Sequence, residues 1–168
     1  LELPPGDAEA AELEQRVKQA ASEAGIGIVG PNCMGVTDAG ADLFLASSPG
    51  ETGPVGLVSQ SGNLGIEIGL LLAKEGLGFS RFVSLGNQAD IGAEEVLEAL
   101  VDHPATAAIL LYLEGIGDGR RLVAAARRTH AAGKPVVLIA AGGSEAAAHA
   151  ARSHTGALAS GAVAVAAA

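Results

Sequence analysis

Residues 55 to 62 read Val55-Gly56-Leu57-Val58-Ser59-Gln60-Ser61-Gly62, a short apolar run that passes into small hydroxylated residues and glycine. Val55 to Val58 shows no polar alternation, which suits a strand buried on both faces. The turn opens a helix over Asn63 to Glu75. The same unit then repeats down the chain: strand Arg81 to Ser84, helix Ala93 to Val101, strand Ala108 to Leu113, helix Gly119 to Ala131, strand Val136 to Ile139. Strands alternating with helices imply an α/β fold with a doubly wound parallel sheet. Such sheets bind ligands outside the carboxyl ends of their strands. The stretches to search are therefore Ser59–Gly62, Leu85–Asp90, Glu114–Asp118 and Ala140–Ser144, and polar residues do collect there.

Outward from this core the pattern is less regular. Toward the N-terminus, Asp7 reads as an N-cap for a helix over Ala8 to Ala24, with Gly25 as its stop. Ile26 to Val29 reads as a strand running into Gly30-Pro31-Asn32-Cys33. Residues 37 to 53, rich in Gly, Ser, Pro, Asp and Thr around a small strand Leu43 to Ala46, read as a linker. Toward the C-terminus, a helix over Glu145 to Arg152 precedes a break at Ser153-His154-Thr155-Gly156. The chain starts with Leu1 and stops within an Ala-rich run, and is read as a piece cut from something longer.

Composition narrows the function classes. Of 168 residues, 49% are apolar but only 2% aromatic, so the core is built from Ala, Val, Leu and Ile. Ten Lys and Arg against nineteen Asp and Glu give a formal charge of −9, which leaves no basic stripe for nucleic acid. Anion binding survives that balance, because a helix N-terminus holds phosphate with backbone N–H groups alone. No run of apolar residues reaches membrane-spanning length. The lone Cys33 excludes an internal disulfide framework and a cysteine zinc site, and a reduced, cytoplasmic setting follows.

Three places carry candidate chemistry. Ser59, Gln60, Ser61 and Gly62 combine small residues, hydroxyls and a helix start, the requirements of an anion cradle; an ordinary βα turn with a serine cap has the same spacing. His154 sits between small hydroxylated residues on a loop, where a neutral imidazole is a competent nucleophile at physiological pH; a surface histidine reads alike. Glu114, at the end of an apolar strand, is placed to hold an imidazole in one tautomer, or to be a solvated strand-end carboxylate. Asp90 and Asp118 are weaker versions of the same idea. Cys33 is either a reactive thiol or a small buried hydrophobe. His103, His130 and His149 show no metal-ligand spacing.

Taken in order, Gly30-Pro31-Asn32-Cys33-Met34-Gly35-Val36, Val55 to Gly62, Gly78 to Asp90, Leu111-Tyr112-Leu113-Glu114 and Ser153 to Ala159 resemble the acyl-CoA synthetase (NDP-forming) family, relatives of the succinyl-CoA synthetase alpha subunit. The resemblance implies a flavodoxin-like ligase domain over 54–168, preceded by a linker at 37–53. Residues 1–36 would be the tail of a Rossmann-type CoA-binding domain. It implies the reversible conversion of acyl-CoA, phosphate and ADP to acid, CoA and ATP, with Mg accompanying the nucleotide. His154 then carries the phosphoryl group, Glu114 supports it, Ser59, Gln60, Ser61 and Gly62 cradle phosphate, and Asn32 and Cys33 lie near the CoA thiol. An ATP-grasp domain or subunit is the implied partner, with homo- or hetero-oligomerisation, and no cofactor is held tightly by the piece alone. Relatives usually carry Lys and Arg where this chain has Ala140 and Gly143. The rival reading is the ligand-sensing, synthetase-like region of a protein lysine acetyltransferase.

Overall fold

In the computed structural model, which describes residues 8–48 and 50–141, the 55–62 stretch becomes the end of one strand and the start of a helix. The elements in chain order are α1 (Ala8–Glu23), β1 (Val36–Asp38), β2 (Leu43–Phe44), β3 (Thr52–Ser59), α2 (Gly62–Lys74), β4 (Phe79–Ser84), α3 (Ala93–Val101), β5 (Ala108–Leu113), α4 (Gly119–Ala131) and β6 (Val136–Ala140). Local chemistry sets the helix ends. The Ser61 hydroxyl accepts from the Leu64 N–H, the Asp118 carboxylate accepts from Arg120 and Arg121 N–H, and Glu95 reaches back to the Gly92 N–H. Lys134 closes the other end of α3, its Nζ donating to the Leu100 and His103 carbonyls at 2.9 and 2.7 Å.

The six strands lie in the order β2-β1-β4-β3-β5-β6. β4, β3, β5 and β6 are parallel, while β1 and β2 add an antiparallel edge. Successive residues of a strand face opposite ways, and β3 feeds two cores accordingly. Val58 joins Val83, Leu97, Leu100, Ile109, Leu111, Leu122 and Ala125 under α3 and α4. Leu57 joins Ile68, Phe79 and Phe82 under α2. Each of these side chains, taken from water, contributes roughly 1.5–3 kcal/mol. On the α2 side the aromatic residues are concentrated: Phe79 and Phe82 stack with centroids 5.5 Å apart, and α2 approaches them at Gly65. A Cβ at residue 65 would lie 2.8 Å from the Phe82 ring, so only glycine lets the helix sit this close.

The connections fix where a ligand can enter. The chain leaves β3 through α2 on one face toward β4, whereas β5 leaves through α4 on the opposite face toward β6. Neighbouring parallel strands whose connections diverge open a crevice at their carboxyl ends. Here that crevice is between Ser59 and Tyr112, which are register partners.

The doubly wound α/β sheet is the one expected, and Val36–Asp38, too short to show a period, adds an antiparallel edge to it by pairing with β4. Two expectations need correction. Ile26–Val29 forms no strand: its Ile28 carbonyl accepts from Ile91 N–H and its Ile28 N–H donates to the Asp90 carboxylate, so a loop takes the place of a neighbouring strand. The stretch read as a linker contributes β1 and β2 to the sheet. Asp7, the helix over 145–152 and the break at 153–156 fall outside the described residues. No helix among the described residues is long and apolar enough to cross a membrane.

The antiparallel edge is pinned by a buried polar network. Asp38, 5% exposed, accepts from the Gly40 and Ala41 N–H groups, from Arg81 Nε at 2.7 Å and from His103 Nε2 at 3.3 Å. His103 Nδ1 meets the Thr106 hydroxyl, which meets Ser80, each at 2.7 Å. Burial alone would raise the Asp38 carboxyl. The hydrogen bond and charge of Arg81, helped by the Ala41 N–H and His103, outweigh burial and hold it below the ordinary carboxylate value. A depressed folded-state value means stability present above the unfolded value and lost as pH falls through the folded one. Asp38→Asn should therefore cost about 2–3 kcal/mol at neutral pH, a discount on a fully buried pair because Arg81 is partly exposed. It should also flatten the fall of stability on acidification below the ordinary carboxylate range. Urea unfolding at neutral and acidic pH reads both, and an unchanged midpoint would contradict the role given to this network.

Candidate functional site

At the carboxyl edge of the sheet, the turn after β3 is held from below by its own first two residues. Ser59 is fully buried and its hydroxyl donates to the Ser61 carbonyl at 2.6 Å. Gln60, 4% exposed, crosses from β3 to β5: its backbone N–H donates to the Tyr112 carbonyl at 3.0 Å, and its side-chain Oε1 accepts from the N–H groups of Glu114 and Gly115. These two residues thus shape the turn instead of presenting side-chain oxygens to a ligand. The part left at the surface is Ser61, Gly62 and Asn63, the first turn of α2. Its Gly62 and Asn63 N–H groups precede the first intrahelical acceptors, so they and the helix dipole face outward together.

Glu114 is brought to the same crevice by that glutamine. The residue is 7% exposed, and its Oε2 has no hydrogen-bond partner among the described residues. A buried carboxylate oxygen without a donor is unusual and signals a group that is completed by something else. Tyr112 lies two residues earlier on β5. Its hydroxyl is shifted above the ordinary tyrosine value, chiefly by burial, then by the charge of Glu114 and a hydrogen bond to that carboxylate.

The Gly30–Val36 turn closes the crevice from the side. Asn87 and Ala89 N–H groups donate to the Pro31 and Gly30 carbonyls at 2.9 Å each. Ser84 Oγ accepts from the Met34 N–H at 3.0 Å, and the Met34 side chain packs directly over Gly62, in the space a Cβ there would need. Asn32 and Cys33 are exposed on this turn: Asn32 adopts φ 54°, with Nδ2 3.5 Å from Asn87 Oδ1, and the Cys33 thiol faces the Val29 carbonyl at 3.6 Å. The turn and the start of α2 are therefore in contact.

Beside them an open cleft of about 440 Å³ is lined by Gln60, Asn87, Asp90, Glu94, Asp118 and Lys18 among others. Two of its carboxylates are already engaged, Asp90 with the Ile28 N–H and Asp118 with the α4 N-terminus. His103 is part of the Asp38 network on another part of the fold, and His130 is exposed in the last turn of α4. Among the described residues no group of three or more His, Cys, Asp or Glu side chains could hold a metal ion. Sequence reasoning missed Tyr112 and Met34. Both stand inside the motifs that pointed to this edge, but nothing in their spacing marks which way their side chains turn. His154, His149 and Gly143 lie outside the described residues, and Ala140 ends β6.

The bridge through Gln60 is testable directly. Gln60→Ala leaves two buried N–H groups without an acceptor, which should cost about 2–4 kcal/mol in urea unfolding. It should also speed hydrogen exchange at the Glu114 and Gly115 amides ahead of the rest of β5; unaltered exchange there would show that another acceptor holds the strand end.

Comparison with known proteins gives the family. The family model described as the succinyl-CoA ligase like flavodoxin domain matches residues 52–168. The chain is 42% identical over 149 residues to subunit alpha of acetate–CoA ligase (ADP-forming) II from Pyrococcus furiosus, covering 87% of this chain and 32% of that protein. It is 39% identical over 158 residues to 4-hydroxybutyrate–CoA ligase (ADP-forming) from Nitrosopumilus maritimus, covering 90% and 22%. Among solved structures, the dinucleotide-forming acetyl-coenzyme A synthetase 1 of Candidatus Korarchaeum cryptofilum, in complex with phosphate and ADP, superposes with a TM-score of 0.80 at 38% identity, covering 89% of this chain and 33% of that one. The chain thus spans a third or less of the length of these relatives. With the crevice, the amide-rich helix start and the buried glutamate all within the matched region, this chain belongs to the family of succinyl-CoA ligase like flavodoxin domains.

Proposed function

We propose that this chain is the phosphohistidine-bearing part of an NDP-forming acyl-CoA synthetase, with His154 as the residue that takes up phosphate. The observation that carries the reading is Glu114: a buried residue with an open carboxylate oxygen, its backbone N–H held by Gln60 at the strand-end crevice where α2 also begins. A phosphohistidine enzyme needs this pair of features, an anion-accepting set of donors and a carboxylate to orient the imidazole. The relative bound to phosphate and ADP, and the CoA ligases matched at around 40% identity, support the same substrate classes.

In this scheme phosphate attacks the acyl carbonyl of acyl-CoA, CoA leaves as the thiol, and an acyl phosphate results. A neutral nitrogen of His154 then attacks phosphorus; the P–N bond forms as the P–O bond to the acyl group breaks, and the carboxylate departs with the electron pair. A carboxylate is a weak base, so no general acid is needed at that step. Glu114 accepts the other imidazole N–H and stabilises the positive charge that develops there. The Gly62 and Asn63 N–H groups and the α2 dipole face the phosphoryl oxygens. Ser59 and Gln60 keep the turn in shape, while Asn32 and Cys33, on the turn packed over Gly62, stand at the CoA end. Phosphohistidine finally passes its phosphoryl group to ADP, bound with Mg on an ATP-grasp domain or subunit.

The test uses the full-length protein with its nucleotide-binding partner. Incubation with ATP and Mg, or with acyl-CoA and phosphate, should put acid-labile phosphate on the wild type, and His154→Asn should lower incorporation by about a hundredfold or more. Glu114→Gln should slow it with little change in KM. Phosphate retained in His154→Asn, or none on the wild type from either direction, would overturn the assignment; CoA binding unaffected by His154→Asn and without any phosphorylation would favour the sensor reading.

A further inference from the structure

The proposed scheme has two ends, the Gly62 and Asn63 N–H groups for phosphate and the Asn32–Cys33 turn for the CoA thiol. The acyl carbonyl has to lie between them. Attack requires a phosphate oxygen within roughly 3–3.5 Å of the carbonyl carbon, so a side chain that joins the two ends also borders the acyl group. Met34 joins them. It follows Cys33 directly, and its thioether lies on Gly62, where Sδ is only 2.6 Å from the position a Cβ would take.

The backbone holds Met34 in that place. Its N–H donates to Oγ of the fully buried Ser84 at 3.0 Å, and its carbonyl accepts from the Ser47 N–H at 3.1 Å. On either side the turn is pressed to the sheet. The Gly35 carbonyl accepts from the Ser84 N–H at 3.0 Å, and a Cβ at Gly86 would be 2.7 Å from the Asn32 carbonyl carbon. With both backbone polar groups paired, residue 34 cannot redirect its side chain without giving up strand-end contacts. That side chain is only partly buried, so a ligand at the start of α2 can touch it. A thioether on an unbranched chain is apolar and fills space without offering a donor. We propose that Met34 is the acyl-selecting residue: it bounds the space beside the acyl carbonyl, and the group that fits is short, aliphatic and uncharged. A longer tail meets the thioether, and a distal carboxylate finds no donor there to replace its water. This rests on the phosphohistidine reading and adds a substrate class to it.

The test uses the full-length protein with its nucleotide-binding partner and compares kcat/KM for hexanoyl-CoA and acetyl-CoA, each with phosphate, ADP and Mg. The wild type should prefer acetyl-CoA. Met34→Ala should raise the hexanoyl-to-acetyl ratio about tenfold or more, the span expected when an apolar pocket gains room for extra methylenes. Met34→Val, a smaller truncation, should move the ratio the same way by less, and Met34→Leu, of similar volume, should keep it. A general loss of rate or of folded protein lowers both values alike and cancels in the ratio. In a protein that does take up phosphate on His154, an unchanged ratio in both the alanine and valine variants would overturn this proposal alone, as would a wild type that prefers hexanoyl-CoA. A wild type that takes up no phosphate from either direction would overturn the histidine reading and the acyl site built on it together.

Discussion

The side chain of Gln60 bridges two strand ends whose helices lie on opposite faces of the sheet. β3 and β5 are neighbours, and the divergence of α2 and α4 opens a gap above them. Left to itself, that gap would have two free strand ends and two buried N–H groups without acceptors. One glutamine oxygen answers both N–H groups, while its own backbone N–H reaches Tyr112. The start of α2 and the backbone from Tyr112 to Gly115 are thereby tied to one residue. A site assembled from separate loops acquires a fixed geometry this way, because each contributor is anchored to a parallel sheet before any ligand enters.

Electrostatics reconciles the proposed anion site with a chain of net charge −9. Positive charge is not concentrated there: Lys18 is the one basic side chain lining the cleft among the described residues. In the proposed site, attraction would come from peptide dipoles at the first turn of α2, which need no counter-charge and little desolvation. The cleft's acidic residues are partly neutralised in effect by the N–H groups they accept, Asp90 from Ile28 and Asp118 from the start of α4. The contrast with the Asp38–Arg81–His103 network is instructive: there a full ion pair is used to fix a strand, and no ligand is involved.

Much of this was legible in the residues. The helices at 93–101 and 119–131 and the strand at 108–113 have the bounds their apolar runs and end residues indicate, since Gly92, Glu95 and Asp118 mark starts by local hydrogen bonding that sequence alone encodes. Ser59 to Gly62 and Glu114 were likewise marked by their place at strand ends. Residues 26–29 were misread because an apolar run says nothing about its neighbour; here the partner is the 87–91 loop and an aspartate, not a strand. β1 was missed for the converse reason, three residues being too few to carry a period, with pairing to β4 supplying what local propensity does not. The division of labour within Ser59–Gly62, two residues buried behind the turn and two facing outward, depends on side-chain direction and could only be read from the fold.

The central claim is spatial: one histidine, one glutamate and one helix start must meet around a phosphoryl group. A crystal structure of the full-length protein after phosphorylation measures this most directly. The account predicts phosphorus bonded to a nitrogen of His154, phosphoryl oxygens within hydrogen-bond distance of the Gly62 and Asn63 N–H groups, and the other imidazole nitrogen on the Glu114 carboxylate. A phosphorylated His154 whose phosphoryl group lies away from α2, or whose ring leaves Glu114 unpartnered, would contradict it.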